Sequence, residues 1–174
     1  MKRPEPTLQE RFFNADDIIV SKTDLKGRLV YVNDVFCSVG LYSEREVLGQ
    51  PHAIVRHPDM PRAIFALLWQ RIQSGREVFA YVKNMAKNGD YYWVLAHVTP
   101  SYTLAGEIDG YHSNRRKPQR AALAAIEPLY RDLLRLEAVG DRKAGLQTSL
   151  ARLDAAMAEC GQGYDQFVLG LAVQ

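Results

Sequence analysis

Cysteine is scarce in this chain: the two present, Cys37 and Cys160, are far apart in sequence and match no metal-ligand spacing. A disulfide framework needs several cysteines at regular spacing, so none is expected here. The same scarcity favours a reducing compartment, and we expect a cytoplasmic protein.

Long apolar runs and a strong charge of either sign are also missing. No run approaches the roughly 20 apolar residues that span a bilayer, and the first residues are too polar for a secretory signal. The net charge is only +2, and the basic run Arg115 to Lys117 is brief enough to be a solvated linker. We therefore expect neither membrane insertion nor nucleic-acid binding.

Catalytic motifs are absent as well. The chain has no Gly-rich phosphate loop, no nucleophile elbow, no Cys/His metal spacing and no kinase or nuclease signature. We therefore expect a protein that is not an enzyme. Its length suits one domain with an appendage.

The apolar and turn patterns predict two strands, several short helices and then three strands. The first two strands are expected at 17–22 and 29–33, and the last three at 77–84, 91–101 and 107–114. Helices are expected at 34–42, after Ser43, and from Pro61 to Gln73. A capping box at Thr7 to Glu10 predicts an additional N-terminal cap helix within residues 1–16.

Residues 118–174 have a different character, being rich in Ala and Leu. A helix is expected at 121–139, where Pro128 should kink or divide it. After Asp141, apolar residues recur at helical spacing up to Cys160, and a short apolar helix follows at 164–173. The two apolar seams must be covered. We expect a homodimer in which this tail forms part of the interface, with an intramolecular hairpin as the alternative.

Two segments carry most of the functional information. The run Gly49 to Pro61 places Arg56, His57 and Asp59 around prolines at the start of a helix, a natural site for an anion or a dipolar ring. The second segment, Lys87 to Val94, is an Asn-Gly turn that opens an aromatic strand.

Together these segments resemble the PAS sensor domain of bacterial aerotaxis receptors, over about Ser21 to Arg116. The resemblance implies an α+β PAS fold within 17–117, in which a five-stranded antiparallel sheet and short helices enclose a ligand pocket. It also implies bound FAD and a redox or oxygen sensor that signals by conformational change. Relatives continue into a membrane anchor and a signalling module that have no counterpart here, so the expected partner is a separate chemoreceptor or kinase.

The resemblance assigns the charged cluster to flavin binding. Arg56 would donate to ring carbonyls or phosphate in a bidentate fork. Asp59 would hold that arginine or cap the helix, and His57 would do either or orient the loop. From the residues alone, a surface loop with a helix cap is the favoured explanation of the cluster, and it is the resemblance that favours flavin binding instead.

Five further side chains are candidates for flavin contacts. Trp69 would stack near the ring or belong to the core, and Asn84 would pair with the ring edge or cap a turn. Asn33 is a candidate that also fits an N-cap. His52 occupies the place of the photoactive cysteine of the light-sensing LOV group, so no thiol adduct is expected. His112 would lie near flavin N5 or be a partly exposed strand histidine.

Three other functions remain open from the sequence. A cofactor-free PAS interaction module would use the fold for dimerisation. A haem-binding PAS domain would ligate iron through a histidine, for which His57 lies just before the usual helix. A small flavin reductase or oxidase is the enzymatic alternative, although no nicotinamide or substrate site is visible.

Overall fold

The computed structural model describes residues 4–172 and contains one five-stranded sheet with helices on both sides of it. The strands are β1 (Ile19–Asp24), β2 (Leu29–Val32), β3 (Val78–Met85), β4 (Tyr91–Tyr102) and β5 (Ile108–Arg116). The helices are α1 (Asp34–Gly40), α2 (Glu44–Val47), α3 (Arg62–Gln73), α4 (Arg120–Glu137), α5 (Arg142–Glu159) and α6 (Tyr164–Ala172), and a 3-10 turn spans His52–Val55. The predicted α+β order of elements is confirmed.

The sheet order is β2-β1-β5-β4-β3, and every neighbouring pair is antiparallel. Directly paired residues share a face of the sheet, since side chains alternate along each strand. The pairs Ser21↔Ser113 and Ala96↔Arg115 therefore place these four side chains on one face, which we call the inner face. Helix α3 lies against β3 and β4 on this side.

Helices α4 to α6, which we call the C-terminal extension, pack against the opposite, outer face and around the β3 edge. The hydroxyl of Tyr130 in α4 donates to the carbonyl oxygen of Tyr81 at 2.7 Å. The hydroxyl of Tyr81 in turn donates to the carbonyl oxygen of Val168 in α6 at 3.4 Å. The extension therefore covers outer-face residues and also reaches α3, with which α5 is in contact.

The predicted N-terminal cap helix is wrong for residues 4–16, which contain no helix. The segment instead pairs with the start of β4, where Arg11 N donates to Tyr91 O at 2.7 Å and Tyr91 N donates to the carbonyl oxygen of Gln9 at 3.0 Å. The Thr7 hydroxyl donates to the Asp90 carboxylate at 2.6 Å rather than capping a helix. Tertiary pairing thus overrides the local capping signal. Residues 1–3 of that prediction lie outside the described residues.

Pro128 does not divide the helix, which was one of the two predicted alternatives, because it lies inside one continuous helix, α4. The two apolar seams of the tail pack largely within the chain, where Leu133 in α4 and Leu153 and Met157 in α5 are buried. This packing matches the intramolecular hairpin that was the alternative to a dimer interface. Within the described part of the chain, no helix is both long and apolar enough to cross a membrane.

Candidate functional site

A cavity of about 240 Å³ lies between α3 and the inner face of the sheet. Its walls combine aromatic rings, aliphatic side chains and a few polar groups, as small-molecule pockets usually do. Aromatic residues come from α3 and β5, and polar ones from β1, β3, β5, the 3-10 turn and the loops that follow β1 and this turn. The aromatic and polar lining residues are Ser21, Thr23, Lys26, His52, Arg56, Phe65, Trp69, Asn84, Tyr111, Ser113 and Arg115.

Trp69 forms part of the cavity wall and is held from two sides. Its ring meets Tyr111 edge to face, with 5.5 Å between centroids and an interplanar angle of 87°. Gly27 lies behind it with φ +73°, and a Cβ built on Gly27 would come within 2.9 Å of the Trp69 ring. This fixed, flat surface favours a planar ligand.

Asn84 brings a polar edge to the same cavity from β3. The residue is only 3% exposed, and its Nδ2 has no hydrogen-bond partner among residues 4–172. A backbone bridge to Arg56 fixes the strand at this point. A buried amide donor without a partner is costly, so the site favours a ligand that carries an acceptor.

Arg115 on β5 is the most unusual residue of the cavity, because it is a charged residue that is only 2% exposed. Its Nη2 contacts the Ser21 hydroxyl and lies 2.7 Å from His52 Nε2. Its Nη1 has no hydrogen-bond partner within the described residues. None of the described residues that line the cavity is acidic. Burial therefore lowers the pKa of Arg115 to about 10, and the site favours an electron-rich or anionic ligand.

His52 is the neutral partner of this arginine. Burial, and secondly the charge of Arg115, lower the pKa of His52 to about 3. Its Nε2 also lies 3.2 Å from the Ser21 hydroxyl. Because the guanidinium donates to Nε2, the neutral ring carries its proton on Nδ1. His52 thus orients Arg115 without adding charge to the cavity.

Arg56 is the one member of the charged cluster that lines the cavity. Its guanidinium lies 3.9 Å from the centroid of the Phe65 ring and donates to the Met60 carbonyl oxygen at 3.3 Å. Lys26, an exposed residue, also lines the cavity. These two side chains bring positive charge to its more exposed part.

His57 and Asp59 lie outside the cavity wall, so the prediction that they contact a ligand is not supported by their placement. The buried His57 ring accepts from Asp59 N at 3.1 Å through Nδ1 and meets Tyr91 edge to face. The Asp59 carboxylate is exposed and pairs with Lys83 at 2.8 Å. Both residues position the loop that carries Arg56, as the loop interpretation predicted. The predicted helix cap by Asp59 is wrong, because the first amide groups of α3 donate to Glu137 instead.

Asn33 and His112 also lie away from the cavity. Asn33 caps α1, and its Oδ1 accepts from Phe36 N at 3.0 Å. His112 pairs with Lys22 and Thr99 on the outer face, because side chains alternate along β5 and Tyr111 faces inward. Among the predicted residues, the structure therefore brings together Arg56, Trp69, Asn84 and His52.

The sequence interpretation missed Arg115, which it assigned to a solvated linker with Arg116 and Lys117. The structure corrects this assignment: Arg115 is buried in β5, and Arg116 is exposed. A signal was present in the sequence, because Tyr111, Ser113 and Arg115 recur with the period of two that marks one face of a strand.

Comparisons with known proteins agree with this architecture. A family model described as PAS fold matches residues 9–112. The aerotaxis receptor of Escherichia coli is 42% identical over 130 residues, which are 75% of this chain and 26% of that protein. The nitrogen fixation regulatory protein of Klebsiella pneumoniae is 27% identical over 99 residues, 57% of this chain and 20% of the relative. The chain thus spans about a quarter or less of these relatives.

Solved structures support the same fold. A light-oxygen-voltage domain studied with a flavin analogue superposes with a TM-score of 0.57 at 16% identity, covering 66% of this chain and 86% of that one. At this identity the likeness shows the fold alone.

Proposed function

The chain belongs to the PAS fold family, and from that premise we propose that it is a sensor that binds FAD and reports redox state or oxygen. The observation that carries the proposal is the pair of buried donors, Asn84 Nδ2 and Arg115 Nη1, which line one cavity without partners in the described chain. A flavin ring offers carbonyl and ring-nitrogen acceptors along one edge, and its flat faces suit a wall that contains Trp69.

The positive charge at the exposed part of the cavity supports a dinucleotide rather than a bare ring. The cavity volume of about 240 Å³ lies below the roughly 300 to 1,000 Å³ of typical ligand pockets. The ring would therefore fill it, and the remaining part would extend past Lys26 and Arg56. Both are cationic, and arginine in particular recognises phosphate through a bidentate fork.

A bound flavin supplies reversible electron uptake, and the residues around it determine how the protein responds. Arg115 holds a fixed positive charge on β5, and Asn84 presents a donor on β3. A change in electron density at the ligand therefore alters the interactions of two strands at once. A difference in interaction energy of a few kcal/mol is enough to shift a conformational equilibrium.

We further propose that the protein acts in the cytoplasm, as a homodimer, and passes its signal to a separate chemoreceptor or kinase. The similarity to an aerotaxis receptor and to a nitrogen fixation regulatory protein supports a role in signal transduction.

The test is the visible absorption spectrum of the purified full chain, followed by release and chromatographic identification of any flavin. We expect an oxidised-flavin spectrum with FAD as the released species. Asn84→Ala should lower flavin occupancy, whereas His112→Ala, on the outer face, should leave it unchanged. A haem spectrum would favour the haem alternative, and a featureless one the cofactor-free module.

A further inference from the structure

Helix α3, which supplies the aromatic wall of the cavity, has no N-cap of its own. The residue at its cap position is Pro61, whose side chain forms no capping hydrogen bond. The first amide groups of a helix lack partners within the helix and must be satisfied from outside it. For α3 the partner comes from the C-terminal extension.

That partner is Glu137, the last residue of α4. Its two carboxylate oxygens accept from the backbone N–H groups of Arg62 and Ala63, both at 2.9 Å. The same carboxylate accepts from Arg62 Nε at 3.0 Å and from the Ser149 hydroxyl of α5 at 3.1 Å. Its side chain is only 6% exposed. An acidic side chain placed in this way satisfies the amides and also complements the helix dipole.

The packing of α4 and α5 holds Glu137 in this position. Gly145 of α5 passes so close to the end of α4 that a Cβ on it would lie 2.8 Å from the Glu137 carbonyl oxygen. Arg62 adds further links, donating to the carbonyl oxygens of Glu137 at 3.0 Å and Arg142 at 2.8 Å. The start of α3 is therefore joined to both helices of the hairpin.

The other end of α3 is attached to the extension as well. Arg71 forms an ion pair with Asp165 of α6, and its guanidinium lies over the Tyr164 ring, 5.8 Å from the centroid. Between these two attachments, Phe65, Leu68 and Trp69 line the cavity, and Ile72, directly after Arg71, lines it as well. One helix thus contacts both the ligand cavity and the extension.

We infer that the Glu137 carboxylate holds the C-terminal extension against the start of α3, an attachment that we call the latch. Ligand binding in the cavity and the packing of the extension are then coupled through this helix. The part of the inference that concerns a ligand rests on the proposed function. Coupling of this kind is reciprocal: the latch favours the cavity wall that binds ligand, and ligand favours the latched extension.

The first measurement needs no ligand. Hydrogen exchange of the full chain is followed by mass spectrometry for wild type, Glu137→Gln and the control Glu159→Gln. Glu159 is exposed on α5 and lies 3.6 Å from Arg152 in its ion pair. We expect Glu137→Gln to accelerate exchange in α3 roughly two- to thirtyfold, the range that loss of a helix cap produces, and the control to leave α3 unchanged. Unchanged exchange in α3 would overturn the latch.

A second variant makes the result independent of one substitution. Asp165→Asn weakens the attachment at the other end of α3, so it should accelerate exchange around Arg71. If both variants gave wild-type exchange in α3, the extension would not stabilise the cavity wall.

The second measurement titrates FAD into the ligand-free protein. We expect Glu137→Gln to weaken binding about fivefold or more, and FAD to slow exchange in the wild-type segment around Glu137. Equal or tighter binding by the variant would overturn the coupling while leaving the proposed function intact. A wild-type chain that binds no FAD would instead contradict the proposed function, and the latch would be judged by the ligand-free exchange alone.

Discussion

Replacing Arg115 by methionine should not destabilise the ligand-free protein, but it should weaken the binding of FAD. The guanidinium is 2% exposed, with a neutral histidine and a serine as its hydrogen-bond partners. The fall of its pKa from 12.5 to about 10 corresponds to roughly 3 kcal/mol by which the fold disfavours the charged form. A buried charge held at such a cost is expected to serve a ligand.

The ligand-free variant should therefore be no less stable than wild type. Loss of the contacts to Ser21 and His52 costs about 1 kcal/mol each, which offsets part of the roughly 3 kcal/mol that removal of the charge returns. The variant should bind FAD more weakly than wild type, because it loses a charge-assisted hydrogen bond to the ligand. Such a bond contributes about 1.5 to 3 kcal/mol, which corresponds to about ten- to 150-fold in Kd.

Thermal unfolding with and without FAD measures both effects. At 100 times the wild-type Kd, ligand should stabilise wild type by about 2.7 kcal/mol, which is roughly 5 to 11 °C in Tm. At the same concentration, a tenfold weaker variant should gain only about 1.4 kcal/mol. The control is Arg116→Met on the same strand, whose side chain is exposed. An Arg115→Met protein that bound FAD as tightly as wild type, or lost several kcal/mol without ligand, would refute this reasoning.

Four further predictions follow from the same site and chain. The lowered pKa of His52, about 3 against 6.5, means that only the unfolded chain takes up its proton between these values. The free energy of unfolding should fall as pH falls through this window, by at most about 1.4 kcal/mol per pH unit. In His52→Gln, the free energy of unfolding measured with urea should depend less on pH between 6.5 and about 5. The same pH dependence in both proteins would contradict this. Gly27→Ala should displace Trp69 and lower flavin affinity, measured by equilibrium titration, because a Cβ would meet the ring at 2.9 Å; unchanged affinity would argue against a rigid wall. Blue light should produce no reversible bleaching of the flavin band, since no cysteine is among the described residues that line the cavity. Bleaching that recovers in the dark would contradict this. Sedimentation of the protein at tens of micromolar should show a dimer, and a monomer at this concentration would contradict the proposed homodimer.

The sequence predicted those parts of the fold that depend on local pattern. Turn residues such as Asn88 and Gly89, and apolar periodicity on either side of them, were enough to place all five strands and α3. The prediction of a helix in the N-terminal segment failed because the Thr7 capping box is only a weak local preference. Pairing with β4 instead forms several backbone hydrogen bonds at once. Boundaries shifted by a few residues for the same reason, as at the end of β5.

Prediction of the site was limited because the sequence interpretation did not determine which face of its strand each polar residue occupies. The resemblance led to Trp69 and Asn84, but it also placed His112 in the site, one residue from Tyr111, whose side chain does face the cavity. Arg115 was assigned by composition to a basic run, although its neighbour Arg116 has the opposite exposure. In a strand, a shift of one residue exchanges the two faces, so strand register decides which polar residues meet a ligand.

The contacts of Glu137 show why the link between site and tail is absent from any local pattern. Its partners Arg62 and Ala63 lie 75 and 74 residues earlier in the chain, and no spacing rule connects a helix C-terminus with the start of a helix so far away. The geometry nevertheless gives the two parts one shared element. The sheet side of the cavity presents Asn84 from β3 and Arg115 from β5, two strands that flank β4. The facing wall is a single helix attached at both ends to the extension. A change at the ligand that moves this wall must therefore also act on the extension, because the carboxylate that caps α3 belongs to α4.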